Sequence, residues 1–171
     1  MLIASPNKKE ISIPLEPIIN DSLFEQDNKK NEDFVNIHPR TRGQNDMITQ
    51  VFGQATLFDT NVDEVLSIHI TRSNKTLTCE AFILNQTVFL NSPFVGLLDW
   101  TEGEFPTCIT HLIELAEEKT GCTALIVSLD RRLYKDSLST LLRAFMYLGF
   151  EMVDPVLYGQ EPGYIFVGYE L

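Results

Sequence analysis

From Leu66 onward, hydrophobic and polar positions keep regular periods. Leu66-Ser67-Ile68-His69-Ile70 alternates, as a half-buried strand does. Thr76 to Leu84 is strand-like, and Thr87-Val88-Phe89-Leu90 is a short apolar strand. Asn85-Gln86 between them suits a hairpin turn, and Pro93 ends the second strand. From about Pro106 to Thr120 the period lengthens to that of a helix. Phe105, Ile109, Leu112, Ile113 and Ala116 share one face, Pro106 fits the first turn and Gly121 the C-terminal cap. Thr123 to Leu129 reads as a strand covered on both faces. Asp130-Arg131-Arg132 begins a charged loop. A second helix, Tyr134 to Leu148, has the stripe Leu138, Leu141, Leu142, Phe145 and Leu148, and Gly149 stops it. Phe150 to Val153 is a strand, Pro155 to Gly163 a loop, and Tyr164 to Tyr169 the last strand.

This order predicts an α/β (α+β) domain, a mixed sheet with two helices packed on it. The two strand-helix-strand passages, Thr87 to Val127 and Ala124 to Val153, are expected to be right-handed crossovers. Residues 1–50 lack the pattern and include the polar run Asp27 to Asp33. They read as a flexible, disordered N-terminal tail, with Ile11 to Leu15 and Phe34-Val35 as short docking segments. The folded domain is expected over residues 51–171.

Charge narrows the partners. Lys plus Arg is 13 and Asp plus Glu is 24, a net of −11 in 171 residues. Nucleic acid and anionic membranes want clustered cations, so both are disfavoured; a basic protein is the natural complement. No apolar run suits a signal peptide or a membrane span. Cys79, Cys108 and Cys122 read as reduced core thiols of a cytosolic protein, the nucleus being a second compartment. With His38, His69 and His111 scattered and no CxxC pair, no metal site is expected.

No reactive constellation stands out. The dinucleotide fingerprint, the P-loop and the G-x-S-x-G elbow are missing. Cys108 and His111, three apart on a helix, read as a packed thiol and a solvated imidazole rather than a catalytic pair. In outline the element order is similar to the acyl-CoA acetyltransferase fold. The turn that would cradle a pyrophosphate is Asp130 to Tyr134, which has bulky side chains and no glycine, so no cofactor is expected there. A divergent acyltransferase and an acidic adaptor for another basic protein remain the alternatives.

The most informative feature is acidic. From Thr76 to Glu118 there are seven carboxylates and no Lys or Arg. Glu114, Glu117 and Glu118 share the helix face opposite the apolar stripe. Like charges at that spacing cost a few tenths of a kcal/mol per pair, and the helix C-terminus disfavours anions. A local cost without local compensation suggests a ligand face. Arg131, Arg132 and Lys135 form a compact basic patch of opposite sign.

Leu112-Ile113-Glu114-Leu115-Ala116-Glu117-Glu118 closely resembles a helix motif of the ornithine decarboxylase antizymes. Leu141 to Val153 resembles the second and most specific motif of that family, and Val88 to Pro93 its strand ending in proline. The resemblance covers Thr87 to Leu171, extends more loosely over Gln54 to Gln86, and does not reach earlier residues. It departs at Asn91, where the family usually has an acidic residue. The resemblance implies a non-enzymatic regulator with an acetyltransferase-like fold and no cofactor. Antizymes bind the ornithine decarboxylase monomer, block its homodimer, promote its ubiquitin-independent proteasomal degradation and restrain polyamine uptake. Antizyme inhibitor is a further partner it names, and synthesis through a ribosomal frameshift is also implied. Glu114 and Glu118, with Glu117 adjacent, carry over as contacts to a basic surface of the decarboxylase. A family lysine after the central strand maps to Arg131 or Arg132.

Overall fold

The computed structural model describes residues 33–43, 46–72, 75–91 and 103–171. Its elements in chain order are β1 (Asp33–Pro39), α1 (Met47–Phe52), α2 (Leu57–Asn61), β2 (Glu64–Arg72), β3 (Lys75–Leu84), β4 (Thr87–Asn91), α3 (Glu104–Thr120), β5 (Ala124–Asp130), α4 (Arg131–Tyr134), α5 (Leu138–Tyr147), β6 (Glu151–Met152), α6 (Pro155–Tyr158) and β7 (Tyr164–Glu170).

The strands form one mixed sheet in the order β1-β2-β3-β4-β5-β7-β6. Every pairing is antiparallel except β4 with β5, which are joined through α3. The β3–β4 hairpin turns at Asn85 and Gln86, both at positive φ (53° and 60°), as a tight two-residue turn matching strand twist requires. β6 runs parallel to β5 with β7 between them, because both are antiparallel to β7.

Alternation in β2 explains the two layers. Leu66, Ile68 and Ile70 point into a core with Cys108, Ile109 and Leu112 of α3 and Leu141 and Phe145 of α5. Val65 points the other way, into a second core with Met47, Ile48, Val51 and Phe52 of α1. Aromatic rings dominate that second core: Phe52 stacks on Phe58 at 3.8 Å and Phe82 on Phe89 at 5.0 Å between centroids. β5 serves both layers, with Leu125, Val127 and Leu129 toward α3 and α5 and Ile126 toward α1. The two long helices therefore share one sheet face, and the opposite face is covered by short helices.

Those short helices correct the expected boundary at residue 51. Residues 33–43 and 46–50 belong to the folded unit, whereas residues 1–32, with the expected Ile11 to Leu15 segment, lie outside the described residues. The physical reason is an ion-paired staple. Arg40 follows β1, and its buried guanidinium donates to both carboxylate oxygens of Asp46, to Asp59 Oδ1 (2.8 Å) and to the carbonyls of Asp59 (2.7 Å) and Val62 (3.0 Å). Asp46 also caps α1 by accepting from the Thr49 N–H.

Other corrections are local. The charged loop at Asp130 is instead a one-turn helix, α4, because Asp130 caps it. A 3-10 turn at Lys135–Ser137 separates α4 from α5, and Lys135 at φ 39° interrupts the continuous helix expected from Tyr134. The Pro155 loop contains α6, capped by Asp154 with Pro155 in its first turn.

Candidate acidic interface

α3 begins after Gly103, at φ 94°, and ends at Gly121, at φ 68°, whose N–H donates to the Glu117 carbonyl at 3.2 Å. That left-handed cap stops the helix three residues after Glu118. Cys108, Ile109, Leu112, Leu115, Ala116 and Thr120 are buried, and Leu115 sits deeper than the expected Ile113. Burial of this stripe turns Glu114, Glu117 and Glu118 outward, and all three are exposed. Among the described residues none of them meets a Lys or Arg. The one cationic neighbour is His111, whose Nδ1 lies 3.5 Å from Glu114 Oε1. Three exposed carboxylates against one imidazole leave the face predominantly acidic.

The expected basic patch is built on α4. The Asp130 carboxylate accepts from the Arg132 N–H (2.9 Å) and from its guanidinium Nε (3.0 Å) and Nη2 (3.2 Å). This pairing with Asp130 raises the Arg132 pKa further above its ordinary value, and the guanidinium also lies 5.8 Å over the Tyr164 ring. Burial pushes the Tyr164 hydroxyl above its usual value, with the Asp130 charge adding to it. Arg131 uses its N–H on the Gly163 carbonyl (2.9 Å), and its side chain forms no ion pair among the described residues. Of the two arginines, Arg131 carries the cation not already matched among the described residues.

The structure does not bring the two patches together. α3 leads into the first residue of β5, whereas α4 follows the last. Seven strand residues, about 23 Å, lie between these ends.

Cys108 is 1% exposed in the core, and His111 is turned to Glu114. Burial raises the Cys122 thiol pKa, which keeps it protonated. His38 Nε2 lies 3.0 Å from Ser67 Oγ, and His69 stacks on Phe34. Among the described residues no group of His, Cys, Asp and Glu is placed to hold a metal, and no helix is long and apolar enough to cross a membrane. Asn91 accepts from Ser128 Oγ at 3.3 Å, tying β4 to β5.

One feature had no sequence signal. A cleft of about 510 Å3 opens beside β7, lined among others by Arg131, Met152, Asp154, Gln160 and Tyr164. Its residues come from α4, β6, α6 and β7 and the loop after α6, so spacing along the chain does not reveal it.

The fold and this face define a mixed-sheet α/β protein whose most distinctive surface is an acidic helix. Residues 26–171 match the family model described as ornithine decarboxylase antizyme. The chain belongs to the ornithine decarboxylase antizyme family, whose members are regulatory inhibitors rather than enzymes. The match also starts earlier than the motifs alone suggested, in keeping with β1 and α1 being part of the fold. No curated protein matches the chain. Among solved structures, a candidate acetyltransferase from Sphaerobacter thermophilus DSM 20745 is similar at 11% identity. The alignment covers 81% of this chain and 94% of that one, with a TM-score of 0.35.

Proposed function

We propose that this chain is an ornithine decarboxylase antizyme that acts by competition. The α3 carboxylates dock on a basic surface that the decarboxylase monomer uses for pairing with its twin, so the active homodimer cannot form. The same complex then delivers the decarboxylase to the proteasome without ubiquitin, and the chain restrains polyamine uptake. Antizyme inhibitor competes for the same face.

The observation that carries this reading is the exposed row Glu114, Glu117 and Glu118, unmatched by Lys or Arg among the described residues, in a chain of this family. Arg131 is the basic contact, because Arg132 already serves Asp130. A pyrophosphate-binding role at α4 is opposed by the Asp130 carboxylate, which occupies the free N–H there with a negative charge.

The test is decarboxylase inhibition by Glu114→Lys with Glu118→Lys. Breaking each buried charge pair costs about 2–5 kcal/mol, so affinity falls by several kcal/mol. Wild-type inhibition by the folded double variant rejects this site. Saturable binding of acetyl-CoA would favour the acyltransferase alternative instead.

A further inference from the structure

The second sequence motif, Leu141 to Val153, folds as most of α5, the turn at Gly149 and β6. Leu141, Phe145 and Phe150 fill the core beneath it. Arg143, Met146 and Tyr147 do not. They are exposed, Met146 by 44% and Tyr147 by 90%. Arg143 and Tyr147 are four residues apart, so both project from one face of α5. Met152 on β6 is 48% exposed. It pairs with Val167, which packs in the core under α3 and α5, so Met152 lies on that same side of the sheet. Tyr, Met and Arg are the types enriched where proteins dock, and Tyr and Arg are enriched among residues dominating binding energy.

We propose that Met146, Tyr147 and Met152, with Arg143 at their edge, form the apolar anchor of the decarboxylase-binding face, the α3 carboxylates being its charged part. This rests on the function proposed above. The occupant follows from continuity. α3 and α5 bury residues in one core, so their outer surfaces face the same solvent side. The Phe105 and Phe145 rings meet edge-on at 5.5 Å, joining the first turn of α3 to α5 two residues before Tyr147. Glu114 follows Phe105 by nine residues, about 14 Å along the helix axis. A standard interface of about 800 Å2 per partner is about 30 Å across and covers both parts. The carboxylates steer a basic partner to the face, and the ring and thioethers hold it once water is expelled.

The two parts leave different kinetic signatures, which the experiment reads by titrating purified decarboxylase at low and high salt. Tyr147→Ala is expected to weaken binding at least tenfold, chiefly through faster dissociation, and by the same factor at both salt concentrations. The Glu114→Lys, Glu118→Lys variant slows association as well as speeding dissociation, and unlike Tyr147→Ala its effect shrinks at high salt. Met152→Lys is an independent second variant with the same expected loss. Leu157→Ala, on α6 beside the opposite core, leaves binding unchanged. Wild-type dissociation rates in both Tyr147→Ala and Met152→Lys overturn the anchor while leaving the acidic site standing. Absence of any complex with the wild-type chain overturns both. Self-association of the chain alone that disappears in Tyr147→Ala also overturns the assignment, because the occupant is then a second copy.

Discussion

Arg40 shows how much one side chain decides. It is the buried cation that holds the end of β1 against the start of α1 and the end of α2. Arg40→Met leaves Asp46 buried without its partner and is expected to cost about 3–5 kcal/mol of stability, read as a lower urea midpoint at unchanged slope. Burial alone would raise the Asp46 pKa. The hydrogen bonds from Arg40 and Thr49 outweigh it and hold the carboxyl below its ordinary value. A depressed carboxyl stabilises the fold above its unfolded pKa, about 3.9, and that contribution is lost as pH falls through the folded value. Stability measured from pH 5 downward is therefore expected to fall, and the fall is shallower in Arg40→Met. An identical acid slope in both would contradict the staple. At the interface, Arg131→Glu is expected to weaken decarboxylase binding more than Arg132→Glu, measured by competition with the wild-type chain. Exposure of Glu114, Glu117 and Glu118 was readable from helical spacing, since the apolar stripe fixes which side is buried. The difference between Arg131 and Arg132 was not, because it depends on a cap whose geometry appears only when α4 forms.

Elements with a long, clean period were legible, and those set by tertiary contacts were not. β2, β3, β4, α3, β5 and β7 fall within a few residues of their expected places, because alternation or a 3.6-residue stripe specifies each. β1 was missed although Val35 and Ile37 face the core, because its first residue, Asp33, ends a wholly polar run and only two core-facing positions follow. α1 and α2 were missed because helices of six and five residues are too short to show a stripe. Turn chemistry makes two predictions here. Gln86 holds a positive φ that glycine adopts without strain, so Gln86→Gly is expected to stabilise the hairpin by about 1 kcal/mol. Gly121→Ala forces a Cβ into the left-handed cap of α3 and is expected to cost about 1–2 kcal/mol. Thermal unfolding of the two variants, shifted in opposite directions, checks both.

At the scale of the whole molecule, charge and topology act together. Most of the net −11 belongs to residues 51–171, so the folded part itself carries the field that would steer a basic partner. The acidic face and Arg131 sit at opposite ends of β5, and a partner that uses both must be a large surface rather than a small ligand. The central proposal is that this chain occupies the surface its target needs for self-pairing; the family assignment and the outward carboxylates support it. The most direct measurement mixes the purified chain with ornithine decarboxylase and follows oligomeric state by sedimentation and activity in the same samples. The account predicts that the homodimer is replaced by a complex of one copy of each chain, with activity lost in proportion. A decarboxylase that remains dimeric and fully active at saturating chain concentration would contradict it.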